Sequence, residues 1–257
     1  MENNVVERIE LLLSELANAA KEENIKKGKK LVPYIIKEIR NLRDKNVKTQ
    51  FIIELINLIP FLGKEAKEFI REIEALIKDS IDLDDDNNRY IYSKFLAVLS
   101  QILFELGDNP RDYLSEAEEI LYDLALKKGL VKEYASFINL YYSPILRALG
   151  DAKKAFKALE VATDELYYNY RQTRNESVLA LLGEINLYKA ELLYELENVK
   201  GAREILEDTL EIFKTLGEKY REHLETTCKN LISLYDELKV DDPRKEECSK
   251  ILQSGQK

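Results

Sequence analysis

Apolar residues recur at three- and four-residue spacing along nearly all of this 257-residue chain, as in Val5, Ile9, Leu12, Leu13 and Leu16, and again in Phe69, Ile73, Leu76 and Ile77. That spacing lines one face of an α-helix, and a chain that keeps it from end to end has little room for strands. Nine Gly and five Pro supply too few turns for an all-β fold. Breaks at Gly, Pro, Asn and Asp predict about twelve helices, at 4–23, 28–45, 47–60, 63–80, 87–106, 112–128, 130–149, 151–170, 174–196, 199–216, 218–239 and 243–253. Connections this short force neighbouring helices to run antiparallel. The expected fold is therefore all-α, an α-solenoid of about six antiparallel helical hairpins.

Two segments are expected. Residues 1–86 hold N-terminal hairpins with a basic stretch, and residues 87–257 hold the repeats, the two joined as one continuous solenoid at the loop Asp82-Leu-Asp-Asp-Asp-Asn-Asn88. The chain carries a formal charge of −9, yet Lys21 to Lys48 contains ten basic residues against four acidic, a local +6. A basic end on an acidic body suits steering of a charged partner or a second copy, and beside Tyr34 it makes nucleic-acid binding or regulation through 21–48 the alternative function. The longest apolar run, Phe51 to Leu62, is broken by Glu54, Asn57 and Pro60 and is too short to span a bilayer. The start Met1-Glu2-Asn3-Asn4 lacks the basic and apolar parts of a secretory signal, so a cytoplasmic protein is expected. One Met, no Trp and abundant Glu and Lys give a thermophile-like composition.

An internal repeat emerges when the turns are aligned. Leu106-Gly107-Asp108, Leu149-Gly150-Asp151 and Leu196-Glu197-Asn198 each close a helix, and Ser100, Ser143 and Ala190 lie seven residues before the three turns. After the turns come Ala117-x3-Leu121, Ala155-x3-Leu159 and Ala202-x3-Leu206, a small residue and then a larger apolar one a helical turn on. Small residues at both places let the two helices of a hairpin approach closely. This arrangement resembles the tetratricopeptide repeat over residues ~90–217. It departs from the family in carrying Leu103, Leu146 and Leu193 where the family has Tyr, and Leu96, Asn139 and Asn186 where it has an early Trp; its turns lie 43 and 47 residues apart instead of ~34. The helices are correspondingly longer.

The resemblance implies a concave groove lined by the first helix of each hairpin. In the family's register the candidate partner-binding residues are Phe104 in the first repeat, Phe137, Tyr141 and Arg147 in the second, and Tyr188, Glu191, Tyr194 and Glu195 in the third, with Lys229 and Asn230 on the next hairpin. Such a wall is aromatic and acidic. It suits a protein or peptide partner with apolar anchors and Lys or Arg residues, Tyr141, Tyr188 and Tyr194 acting as anchors and Glu191 and Glu195 selecting positive charge. No membrane partner is expected, nucleic acid is the less favoured partner, and a homodimer through an end hairpin is an open alternative.

Catalytic chemistry finds little support in the residue types. His223 is the sole histidine, so imidazole-based metal sites and Ser-His-Asp or Cys-His constellations lack their parts; no catalytic residue, metal ligand or cofactor is expected and the chain reads as a non-enzyme. Asp82, Asp84, Asp86 and Asn88 match the opening of a Ca²⁺-binding loop, but Asn87 stands where the turn needs Gly and Ser93 where the ion needs a bidentate Glu, which leaves helix capping as the expected role. The glycines read as isolated residues near helix ends, with no phosphate-binding loop among them. Cys228 and Cys248 read as small core residues. With the last turn centred near Asp241 they would lie ~9 Å apart along the hairpin, too far for a disulfide unless the turn lies elsewhere.

Overall fold

The computed structural model describes residues 2–254; Met1 and residues 255–257, the outermost residues of the two expected segments, lie outside it. The elements are α1 (Glu2–Lys21), α2 (Ile25–Arg40), α3 (Lys45–Leu58), a 3-10 segment (Ile59–Ala66), α4 (Lys67–Ser80), α5 (Asp86–Glu105), α6 (Arg111–Lys128), α7 (Val131–Phe137), a π turn (Ile138–Tyr142), α8 (Ser143–Ala148), α9 (Ala152–Thr173), α10 (Glu176–Glu195), α11 (Val199–Leu216), a 3-10 turn (Glu218–Tyr220), α12 (Arg221–Leu238) and α13 (Pro243–Ser254). No strand occurs among the described residues. Because α7, the π turn and α8 continue without a break, the described residues form the twelve expected rods.

Local chemistry explains where the rods begin. Asn24, Asp44, Asp85, Asn175 and Asn198 each accept a hydrogen bond from a backbone N–H of the first turn of α2, α3, α5, α10 and α11. These caps satisfy donors that have no partner inside the helix. In the acidic loop before α5, Asp85 caps the helix by accepting from the Asn88 N–H at 2.9 Å, and Asp82 holds the loop's own turn by accepting from the Asp84 N–H at 3.1 Å.

Helix ends follow one recurrent geometry. At Gly107, Gly150 and Glu197 the backbone turns left-handed, with φ of 77°, 86° and 60°. The two N–H groups that follow each helix then fold back: Gly107 to Phe104 O and Asp108 to Leu103 O, Gly150 to Arg147 O and Asp151 to Leu146 O, Glu197 to Tyr194 O and Asn198 to Leu193 O, all between 2.8 and 3.0 Å. This paired Schellman closure satisfies the orphan carbonyls of a helix end. Glu23 and Lys239, with φ of 52° and 53°, make the same two bonds, to Ala20 O and Ala19 O with Asn24, and to Asp236 O and Tyr235 O with Val240. The turn closure seen in three hairpins therefore recurs in two more, at Glu23 and Lys239.

The chain divides into two compact units, Met1–Leu121 and Tyr122–Lys257. In the first, α2 packs on α1 and on the 3-10 segment, and α3 packs on α4. Ile9, Leu16, Ile35, Ile39, Ile52, Leu55 and Ile73 are fully enclosed there. Two residues of the basic stretch meet acidic partners of the same unit: Lys29 pairs with Glu65 and Glu68, and Arg40 with Glu72 at 3.3 Å; Glu38, within the stretch, pairs with Arg8 at 3.2 Å.

In the second unit α8 packs on α9, α9 on α10, α10 on α11, α11 on α12 and α12 on α13. The small-residue notch serves close approach as expected. Ser143 and Ala155 are both fully buried, and the Ser143 hydroxyl donates to the Ala155 carbonyl at 3.2 Å. Gly183 sits inside α10, away from any helix end, where a Cβ would come within 2.7 Å of the Phe213 ring. Not every glycine marks a boundary, then; this one admits α11. Cys228 and Cys248 share one core cluster with Leu206, Leu231 and Tyr235. The ~9 Å separation expected from sequence is overturned because the turn centres on Lys239, which leaves the two cysteines near-equal distances from it and only ~3 Å offset along the hairpin. Both remain free thiols.

Candidate functional site

Most of the residues expected to bind a partner lie on α10 and α12 or at their edges, in the second unit. Ala190, Glu191 and Tyr194 of α10 face Asn230, Ser233 and Leu234 of α12 across a cavity of about 300 Å³ whose floor is Ala202 and Leu206 of α11. Spacings of three and four residues put each set on one helix face. Tyr194 is 49% exposed, so its ring is available at the rim with the exposed Asn230, and Lys229 is exposed but does not line the cavity. Glu191, Tyr194 and Asn230 are the expected residues that this cavity brings together.

Arg147, near the end of α8, changes the electrostatics of the wall. Its guanidinium pairs with Glu191 at 2.8 Å and with Glu195, and lies 5.5 Å from the centre of the Tyr188 ring. The two carboxylates hold the Arg147 charge in place, Glu195 more strongly than Glu191. Burial pushes the Tyr188 phenol up, while the neighbouring arginine acts in the opposite direction. The acidic wall is therefore already paired from within the unit, so an incoming cation competes with Arg147 for the same oxygens.

Two of the expected residues are placed otherwise. Phe137 is 4% exposed and packs in the core, its ring stacked 6.2 Å from that of half-buried Tyr141. The reason is the π turn. Pro144 has no N–H to give, and the Ser143 N–H reaches back five residues to the Ile138 carbonyl, so one extra residue is accommodated. Counting back from Gly150 without that residue turns Phe137 outward; counting with it aligns Phe137 with Phe95 and Ile185, both buried. Phe104, half-buried near the end of α5, belongs to the first unit. His223 is half-exposed, with Nε2 3.9 Å from a Glu184 carboxylate oxygen and its ring 5.2 Å from that of Phe213.

A second cavity in this unit has no counterpart in the sequence-based expectations. It measures about 440 Å³ between α9, α10 and α11, and Asn186 and Lys189 are among its lining residues. Each is only 9% exposed. Sequence carried a signal: Asn186 occupies the repeat position of Leu96 and, once the π turn is counted, Ile138, both fully buried, and Lys189 that of Leu99 and Tyr142. Polar residues there interrupt an otherwise apolar stripe.

No family model matches the chain, and no curated protein matches it. Among solved structures, BtubC (BKLC) from P. vanneervenii is 15% identical, with 96% of this chain and 92% of that one covered at a TM-score of 0.49. A putative kinesin light chain from Podosopora anserina, described as having nearly identical TPR-like repeats, is 12% identical, with 99% and 94% covered at a TM-score of 0.42. The repeat of this chain is tetratricopeptide-like. Its own helical pairs, common turn closure and buried small-residue notch carry that statement, and its longer repeats set it apart from the ordinary 34-residue form. Among the described residues no helix is long and apolar enough to cross a membrane.

Proposed function

We propose that this tetratricopeptide-like chain is a protein-interaction scaffold, not an enzyme, and that its second unit receives a partner polypeptide on the face shared by α10 and α12. The observation that carries the reading is the cavity floored by Ala202 and Leu206 with Tyr194, Glu191 and Asn230 at its rim. An apolar floor ringed by an aromatic and polar groups is the form that seats one anchoring side chain of a peptide or helix while hydrogen-bonding its backbone. Glu191 and Glu195 favour Lys or Arg beside that anchor, with Arg147 acting as an internal stand-in for the partner's charge until it is displaced. Tyr141 and Tyr188 extend the aromatic wall.

Selection from a displayed library of random peptides tests this on the intact protein. Enriched sequences are expected to pair a large apolar residue with a nearby Lys or Arg, and Tyr194→Ala with Asn230→Ala is expected to weaken them by at least about tenfold. Arg147→Ala, which frees two carboxylates, is expected to tighten them. Enriched peptides that bind the double variant as well as the parent would overturn the assignment.

A further inference from the structure

The cavity between α9, α10 and α11 contains two buried polar groups whose bonding capacity is left unused. Lys189 Nζ donates to Thr163 Oγ1 at 2.9 Å, one bond for an ammonium with three donors, lies 5.8 Å from the centre of the Phe156 ring, and forms no ion pair among the described residues. Asn186, one turn earlier on the same face of α10, has no hydrogen-bond partner among the described residues. The hydroxyl of Thr163 is itself spent on the Glu160 carbonyl at 2.9 Å. The Asn186 amide opens onto the cavity, where the equivalent positions of the other repeats carry the fully buried apolar residues Leu96 and Ile138. Retaining two such groups side by side at the floor of one cavity is what a ligand site requires, since the ligand supplies the missing bonds.

The lining specifies the ligand. Leu179, Leu182 and Ile205 are apolar, Tyr167 and Tyr170 add aromatic surface, and Asp164, Asp208 and Glu211 bring three carboxylates against the single cation. A plain anion would be repelled by that excess of negative charge, and a plain cation would leave Lys189 unpaired.

We propose that this cavity binds a small zwitterion of the amino-acid class with a large apolar or aromatic side chain. Its carboxylate accepts from Lys189 and Asn186, its ammonium faces Asp164 and Asp208, and its side chain lies on the apolar and tyrosine walls. Burial lowers the affinity of the Lys189 amine for its proton, and an incoming carboxylate restores it. This site lies on a different face of α10 from Glu191 and Tyr194 and stands independently of the peptide-binding reading.

The test is NMR titration of the intact protein with L-phenylalanine, L-tyrosine and L-leucine, alongside N-acetyl-L-phenylalanine and L-phenylalanine methyl ester. Saturable shifts at α9–α11 are expected from at least one free amino acid, with each blocked form weaker by roughly tenfold or more. Lys189→Met and Asn186→Leu are each expected to abolish the shifts, and Asn186→Leu, which restores the residue type of Leu96, is expected to raise the thermal midpoint while doing so. A raised midpoint shows that the variant is folded, so lost binding reads as a lost site. Absence of saturable binding by all three amino acids, or binding that survives both substitutions, overturns the proposal.

Discussion

Glu197 and Lys239 hold left-handed backbone that glycine holds at Gly107 and Gly150. A Cβ in that region meets the following carbonyl and costs about 1–2 kcal/mol, partly offset by the freedom a glycine would lose on folding. Glu197→Gly and Lys239→Gly are each expected to raise stability by roughly 0.5–1 kcal/mol, read as a higher urea midpoint at unchanged slope. Lys189 gives a second prediction at this scale. Burial lowers its pKa below the ordinary 10.5, so between the folded value and 10.5 the unfolded chain binds more protons and stability rises with pH. The penalty is fully present below the folded value. Lys189→Met is therefore expected to gain most over the parent near neutral pH, with the gap closing as pH climbs towards 10.5; urea unfolding of both proteins across that range measures it.

Helices pair where small residues permit. Ser143 is fully enclosed against Ala155, with its hydroxyl on the facing carbonyl, so a larger side chain has nowhere to go. Ser143→Leu is expected to cost about 1–3 kcal/mol by forcing α8 and α9 apart, checked by chemical denaturation. The last helix depends on its neighbours. Lys214 of α11 pairs with Glu247 at 2.7 Å, Arg244 with Glu207 at 2.6 Å, and Cys248 enters the cluster of Cys228, Leu231 and Tyr235. Tyr235 donates to Glu207 at 3.0 Å, and burial pushes its phenol up to about 12. Ending the chain before Pro243 uncovers this apolar end of the second unit. The truncated protein is expected to melt at lower temperature and to bind an apolar dye that the full chain ignores.

At the scale of the molecule, charge is arranged more locally than its totals imply. Within the +6 stretch of a chain of net charge −9, Lys29 and Arg40 pair with Glu65, Glu68 and Glu72 of the same unit, while Lys21, Lys26, Lys27, Lys30 and Lys37 stay exposed. The acidic wall of the second unit is likewise paired with Arg147. Partner recognition under the proposed function is then an exchange of ion pairs, in which desolvation of Arg147 opposes the gain from the partner's cation. That exchange favours discrimination among partners over raw affinity.

Rods, breaks and three of the hairpin turns were legible in the chain because helical periodicity, caps and the turn residues, Leu-Gly-Asp twice and Leu-Glu-Asn once, are local properties of a few residues. Tyr194, Glu191 and Asn230 were legible as neighbours for a related reason: repeats stack in a fixed register, so counting from one turn locates residues on the next. Phe137 was misplaced where that counting assumes an unbroken helix and Pro144 imposes a π turn instead. The contact of Cys228 with Cys248, the pairing of Arg147 with Glu191 and Glu195, and the cavity holding Asn186 and Lys189 depend on how separate helices meet. Periodicity says which face of a helix is buried. Only packing decides what that face is buried against, and so whether a polar residue upon it is bonded, paired or left facing a void.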